Sequence, residues 1–463
     1  MGELDNTLVI YIYGDNGASM EGTLTGSFNE LTMQNGIPLT PEQQFALIEQ
    51  YGGLEVWGAE LTAPHYAAAW AWAGNCPFQW GKQVASHLGG TRQGMAIRYP
   101  RLITGGGLRS QFTHCIDIGP TILELAGLPQ PTHVDGIAQT PMHGTSFLYT
   151  FADPAAGERH TQQYFEIYAY RAMYKDGWWL AQQIDRIPWD ATPDTMKKFA
   201  PGVWQPDDDR VELYYLPDDF TQATNLAEQY PEKVAELREL FWAEAEKYKV
   251  LPLLAGMSFF FGMIPPLPEQ TIYTYYGDVQ NVASGMIPRI YNHSYAISAD
   301  LVIPEGGAEG VIVAEADHLG GFTLFVEDGK LKHTYSMMGV QVYRQESDTP
   351  LPAGEVSVRL EFHADAPQPA TGGDIRLFAN GTEIGKGRMD HSVPLRFSGY
   401  AGMDIGRDNG GVVDRGYADR APFPFTGTVK KVTFDIKPHP AADDEHALHE
   451  SAHHGHIAHG ISG

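Results

Sequence analysis

The sequence has only two cysteines, Cys76 and Cys115, in 463 residues. Two thiols define no disulfide framework, and a single bridge is neither implied nor excluded. Basic residues are also scarce: 31 Lys and Arg stand against 57 Asp and Glu, a formal net charge of −26. A field of that sign repels polyanions and argues against nucleic acid as a partner, while a small anion in a locally basic pocket stays compatible with it. Long apolar runs are missing too. The longest, Val250 to Pro265, is broken by Pro252, Gly256 and Gly262 and falls short of the roughly 20 apolar residues that span a bilayer. The opening residues lack the basic and apolar segments of a signal peptide, so no membrane partner and a cytoplasmic location are expected.

What is present is an ordinary apolar content of 43%, enough for two or three domains with real cores. Leu8 to Tyr13 is a continuous apolar run ending in Gly-Asp-Asn-Gly, which predicts a strand buried on both faces of a parallel sheet. Thr40, Pro41 and Gln43 form the signature of a capped helix start, and Gly52-Gly53 a stop. Met95 to Tyr99 predicts a short strand, and Ile116 to Ala126 a helix closed by Gly127. This alternation predicts an α/β segment over residues 1–150. Residues 151–250 change to short aromatic strands, read as a small antiparallel sheet, and close on a helix from Pro231 with Val234, Leu237, Phe241, Ala245 and Tyr248 at helical spacing.

After a linker at 251–294, strand signals dominate residues 295–437 with no helix between them. Asp328-Gly329 and Asn380-Gly381 sit where two-residue hairpins need positive φ. The pattern predicts a β-sandwich. Residues 438–463 are small, polar and His-rich, and are read as a disordered tail.

Three constellations stand out, two of them with candidate chemistry. Asp15 and Asn16 follow a strand and offer hard oxygen donors suited to Ca²⁺ or Mg²⁺, although Asp-Asn-Gly is equally plain turn chemistry. Lys82, His87 and Arg92 surround Gly89-Gly90 and could present donors to one oxyanion, although a lysine alone is more often solvated. Around Asp117 and Pro120 the apolar spacing reads as structural, with His114 a packing histidine.

In this order the segments resemble the type I sulfatase family of the alkaline phosphatase superfamily. The resemblance rests on Gly14-Asp15-Asn16-Gly17-Ala18, on Lys82 through Gly89-Gly90-Thr91-Arg92, and on Ile116-Asp117-Ile-Gly-Pro120 through Gly127. It continues in Arg171 to Trp178 and in Glu212-Leu213-Tyr214 with Asn225-Leu226-Ala227, covering roughly residues 1–250. The resemblance implies a sulfuric ester hydrolase of arylsulfatase type acting on aryl or carbohydrate sulfate esters. Asp15 and Asn16 would be metal ligands, with Asp15 also assisting the nucleophile, and Lys82 would contact the sulfate oxygens. His87, where many members carry Glu or Gln, is a further candidate at the substrate entrance or in packing.

The family nucleophile is a formylglycine made from the cysteine of Cys-x-Pro-x-Arg or Cys-x-Ala-x-Arg, and neither Cys76 nor Cys115 fits. The expectation is therefore the C-terminal part of such an enzyme, inactive alone. Residues 295–437 resemble the concanavalin/laminin-G-like sandwiches of some arylsulfatases, a resemblance that implies either glycan binding or a covering or oligomerising role without ligand. His449-Glu450-Ser-Ala-His453 matches the zincin pattern formally but lies in the polar tail, where His446 to His459 would bind Zn²⁺ or Ni²⁺ adventitiously. Two alternatives stay open: a phosphodiester or phosphonate hydrolase of the same superfamily, and a non-catalytic glycan-binding or scaffold remnant.

Overall fold

In a computed structural model the described residues are 2–37, 39–190, 195, 198–199, 203–255, 270–291, 293–366 and 368–437. The chain divides into two compact units. One comprises Met1–Met20, Ala69–Pro188 and Met196–Phe261, and the other Glu21–Ala68, Trp189–Thr195 and Gly262–Gly463. Among the described residues no helix is long and apolar enough to cross a membrane. The His-rich tail, with His446, His449, His453, His454, His456 and His459, lies outside the described residues.

In the first unit, β1 (Val9–Tyr13) pairs antiparallel with β2 (Gly94–Arg98), from Val9 opposite Arg98 to Tyr13 opposite Gly94. This corrects the expectation of a doubly buried parallel strand. With one neighbour among the described residues, β1 has an edge unpaired there, and Tyr11 and Tyr13 are 61% and 74% exposed. Apolar composition could not tell a buried strand from an uncovered one. Every strand pair among the described residues is antiparallel, so the parallel layer of an α/β fold is not found there. A hairpin of two-residue strands, β3 (His133–Val134) and β4 (Ile137–Ala138), follows.

The unit's core is the sheet β5 (Gln162–Ile167), β6 (Tyr170–Lys175), β7 (Trp178–Gln183) and β8 (Arg210–Tyr215), in that order. Its strands alternate between two buried faces. Met173, Leu180 and Leu213 meet Leu237, Phe241 and Ala245 of a helix over Pro231–Lys247. Ala172, Tyr174, Trp179, Ala181 and Tyr214 pack on Leu88 from the 79–90 segment. The sheet thus fixes the segment that carries Lys82. Within it, Arg171 is wholly buried, its guanidinium on Asp209 at 2.5 Å and on the Pro206 carbonyl at 2.9 Å.

The expected helix near residue 118 runs Ile118–Ala126 and ends at Gly127 with φ 69°. It starts two residues late because Cys115–Asp117 form a 3₁₀ turn held by the Asp117 and His114 side chains.

The second unit is a β-sandwich. One sheet has the order β17-β16-β15-β10-β19-β9, the other β14-β13-β12-β11-β18. The strands are β9 (Ile272–Tyr276), β10 (Tyr295–Ile303), β11 (Gly310–Asp317), β12 (Gly320–Glu327), β13 (Lys330–Met337) and β14 (Gln341–Glu346). They continue with β15 (Gly354–Ala364), β16 (Gly373–Ala379), β17 (Thr382–Met389), β18 (Met403–Ile405) and β19 (Thr428–Ile436). The hairpins at Asp328-Gly329 and Asn380-Gly381 have positive φ at both residues, as their sequences require. The interval read as a linker holds β9, which pairs with β19 at the sheet edge.

The capped helix falls at Pro41–Tyr51, with both capping-box bonds formed between Thr40 and Gln43. With the rest of Glu21–Ala68 it belongs to the sandwich unit rather than to the unit that holds residues 1–20 and 69–188. Phe28, Leu31, Leu47 and Ile48 join the sandwich's core cluster, and buried Asn29 donates to the carbonyls of Leu319 (3.2 Å) and Met338 (2.6 Å).

Candidate functional site

The structure brings the Asp15-Asn16 turn against the Lys82 segment, and glycines make the approach possible. Gly14 leaves β1 at φ 95°. A Cβ on Gly17 would stand 1.8 Å from the Gly89 carbonyl oxygen, and one on Gly89 would stand 2.0 Å from that of Gln79, so only glycine fits either place. The backbones are then stitched together: Gly17 N–H donates to the Gly90 carbonyl at 3.1 Å, and Lys82 N–H to that of Ala18 at 3.0 Å. Asn75 ties both sides, accepting from Ala18 N–H at 3.0 Å and donating to the Trp80 carbonyl at 2.9 Å.

Around Lys82 the backbone is held in uncommon conformations. Trp80 and Gln83, both non-glycine, have φ of 65° and 74°, a kind of local strain that persists only where surroundings over-determine it. Those surroundings are identifiable: the buried guanidinium of Arg186 places Nη1 and Nη2 each 3.1 Å from Gln83 Oε1. Asp15 is exposed, whereas Asn16 and Lys82 are half-buried.

His87 sits elsewhere in this arrangement. It is fully buried, with Nδ1 2.9 Å from Ser86 Oγ and Nε2 2.9 Å from Glu212 Oε2. Burial opposes ionisation of Glu212, but the bond from His87, with Tyr214 and Arg210 behind it, brings its carboxyl down to about 2. His87 therefore ties the 79–90 segment to β8, a positioning arrangement. Arg92 likewise turns to protein, its guanidinium 5.1 Å from the Phe78 ring. Of the three side chains around Gly89-Gly90, His87 and Arg92 are thus engaged with other protein groups.

A second polar centre lies at the start of the 118–126 helix, where the sequence around Asp117 reads as structural and His160 was not singled out. Fully buried Asp117 accepts from His114 N–H (2.8 Å) and Thr145 N–H (2.7 Å), and both its oxygens lie within 2.9 Å of His160 Nδ1. His160 Nε2 faces the Gln162 carbonyl at 3.1 Å. With an acceptor at each ring nitrogen, the doubly protonated imidazolium satisfies both. Burial works against that charge, yet the Asp117 carboxylate prevails and raises the His160 pKa. His114 packs against Phe165, in line with the sequence reading, and also caps the 3₁₀ turn, which that reading did not include.

The donor chemistry of Asp15 and Asn16 suits a hard divalent cation, but the donor number does not. Such ions take six or more oxygens, and among the described residues no group of three or more His, Cys, Asp or Glu side chains is placed to hold a metal. No signal in the sequence pointed to Asn75 or Arg186, and the motif that contains Glu212 gave no sign of its pairing with His87, because each acts through contacts distant in sequence.

Residues 1–128 match the family model described as Sulfatase. An uncharacterized sulfatase of Schizosaccharomyces pombe is 30% identical over 244 residues, covering 52% of this chain and 38% of that protein. The chain thus spans less than two fifths of that relative's length. Among solved structures, a Bacteroides thetaiotaomicron protein from a locus for metabolism of multiple glycosaminoglycans is 20% identical at a TM-score of 0.29, over 52% of this chain and 39% of the other. A carbohydrate-binding module of a Ruminococcus gnavus sialidase, solved with α2,3-sialyllactose, is 15% identical at a TM-score of 0.26, over 37% of this chain and 92% of the module.

Proposed function

Taking as premise that residues 1–128 belong to the sulfatase family, we propose that this chain supplies the metal-and-anion side of a sulfuric ester hydrolase of arylsulfatase type. The observation that carries the reading is the docking of the Asp15-Asn16 turn onto the Lys82 segment by the Gly17–Gly90 and Lys82–Ala18 backbone bonds. Lys82 is the residue for the sulfate: as an S–O ester cleaves, charge gathers on the sulfuryl and bridging oxygens, and a fixed ammonium stabilises it. The Lys82–Ala18 backbone bond and the Arg186–Gln83 bonds hold the backbone from which its side chain extends. His87 acts through the 79–90 segment rather than on substrate.

Asp15 and Asn16 give two oxygens toward a Ca²⁺ or Mg²⁺ site, whose remaining ligands, like the formylglycine nucleophile, come from polypeptide other than the residues described. When bound, that cation supplies charge to the nucleophile and the sulfate. The uncovered apolar ribbon β1–β2 fits a surface built to be covered by such polypeptide.

Inorganic sulfate titrated into the intact chain, followed by NMR of its lysine side chains, is expected to perturb one resonance that is missing from Lys82→Met. An unchanged Lys82 resonance would sink the reading. The chain alone is expected to turn over neither 4-nitrophenyl sulfate nor the corresponding phosphonate. Restored activity on the phosphonate in preference to the sulfate, once the missing polypeptide is added, would favour the phosphonate-hydrolase alternative.

Carbohydrate binding by residues 295–437 is a second reading, favoured by a polar groove on the six-stranded sheet of the sandwich.

A further inference from the structure

The solvent face of the six-stranded sheet has a depression where sheets of this kind usually carry long polar side chains. It forms because small residues sit at the sheet centre. Ser298 on β10 lies directly opposite Arg359 on β15, and Arg359 opposite Phe378 on β16. Two residues along β15 on the same face is Ser357. The resulting cavity has a volume of about 380 Å³ and is lined by Ser298, Ser357, Arg359, Glu361, Phe378 and Gly381, within the range of small-molecule sites at about 300–1,000 Å³.

The lining has both donors and acceptors, in a fixed arrangement. Arg359 Nε donates to Glu361 Oε1 at 2.7 Å and its Nη1 to Ser298 Oγ at 3.4 Å, while Glu361 Oε2 lies 3.1 Å from His363 Nε2. Arg359 Nη2 makes no hydrogen bond among the described residues. The arginine and glutamate compensate each other, so the groove presents a planar donor fork beside a carboxylate acceptor with little net charge. Phe378, half-buried, adds one apolar wall.

A ligand that matches must offer adjacent groups that both donate and accept, together with an apolar face to lie on an aromatic ring. Vicinal hydroxyls on a sugar ring have that character, with C–H bonds on the opposite face. The charge of −26 over the whole chain weighs against a polyanionic ligand at a site whose own cation is already neutralised.

We propose that this groove binds a neutral saccharide, with Arg359 and Glu361 hydrogen-bonding vicinal hydroxyls and Phe378 stacking on the sugar's C–H face. The inference rests on the second reading, carbohydrate binding by the sandwich, and names its site and ligand class.

The test is a glycan array probed with the intact chain, printed with neutral, sialylated and sulfated oligosaccharides, followed by calorimetry on the best neutral binder. Arg359→Met and Phe378→Ala are each expected to weaken binding at least tenfold. Ser357→Trp, which fills the groove from an exposed position, is expected to abolish it, and Lys330→Gln on the other sheet to leave it unchanged. Thermal midpoints close to wild type establish that the variants are folded, and should Arg359→Met unfold, Ser357→Trp decides. Neutral binding that survives Ser357→Trp would place the site elsewhere, preference for sulfated or sialylated glycans would overturn the ligand class, and absence of any glycan binding would remove the second reading itself.

Discussion

At the scale of single residues, the pairs that position the candidate site are buried and charged, and this sets their response to pH. Glu212 is held at about 2, below its ordinary value of 4.5, chiefly against burial and by virtue of His87. A depressed carboxylate contributes stability that is fully present above pH 4.5 and lost as pH falls toward 2. His87→Ala is expected to lower stability at pH 7 by about 2 kcal/mol, because it leaves a buried carboxylate short of a partner. It should also move the onset of acid unfolding to higher pH, and urea titrations at pH 7 and 4 read both effects. His160 has the opposite sign. Its pKa is raised, so the Asp117 pair stabilises fully below about pH 6.5 and fades as pH rises through the raised value. The thermal midpoint of the wild type should therefore fall across that window relative to His160→Gln, and a difference that grows with pH would contradict the pairing. Asp15, Asn16 and Lys82 were open to nomination from the sequence because oxygen donors after a strand and a lysine before a Gly-Gly turn stand in local order. Their supports were not, since Glu212 lies 125 residues from His87 and His160 lies 43 from Asp117.

At the scale of elements, periodicity and capping were legible wherever the deciding contacts are local. The Thr40–Gln43 capping box, the Gly127 stop and the two hairpin turns fall where their residues required. The apolar run of β1 was not legible in the same way, because apolar residues mark a strand without saying whether anything covers it, and here Val9, Tyr11, Ile12 and Tyr13 are exposed. β9 was passed over because a five-residue strand of alternating burial at a sheet edge gives a weak signal. The docking of the two site segments depends on glycine in a way that can be measured. Gly89→Ala puts a methyl carbon 2.0 Å from the Gln79 carbonyl and 2.3 Å from that of Trp80, both backbone atoms that cannot swing aside. The variant is expected to lose about 3 kcal/mol and to detach the Asp15 turn. Amide exchange would show this as loss of protection at Gly17 and Lys82, whose N–H groups make the cross-segment bonds. Retained protection at both would show that the approach does not depend on the glycine.

At the scale of the whole molecule, the division into units does not follow the order of the chain. The succession of strands from 295 onward made the sandwich legible, but not the sheet order β17-β16-β15-β10-β19-β9, nor the recruitment of residues 21–68 to its core. Adjacency in sequence assigns that segment to its neighbours, whereas Asn29 bonds to Met338, 309 residues away. Asn29 satisfies three buried groups at once: its amide donates to the Leu319 and Met338 carbonyls, and its Oδ1 accepts from Leu31 N–H at 3.0 Å. Replacing it by alanine leaves those buried groups without their partner, and each unsatisfied group costs about 1–3 kcal/mol. Asn29→Ala is therefore expected to lower the stability of the sandwich itself by about 3 kcal/mol. Trp57 packs edge-on against Phe28 at 6.4 Å and reports the state of the segment by fluorescence, while amide protection of β12 and β13 reports the sandwich. If residues 21–68 and the sandwich fold as one cooperative body, both signals shift together in urea in the variant as in the wild type. A Trp57 transition that moves to lower urea while β12 and β13 keep their protection would mean that the segment is an independent cover rather than part of the core.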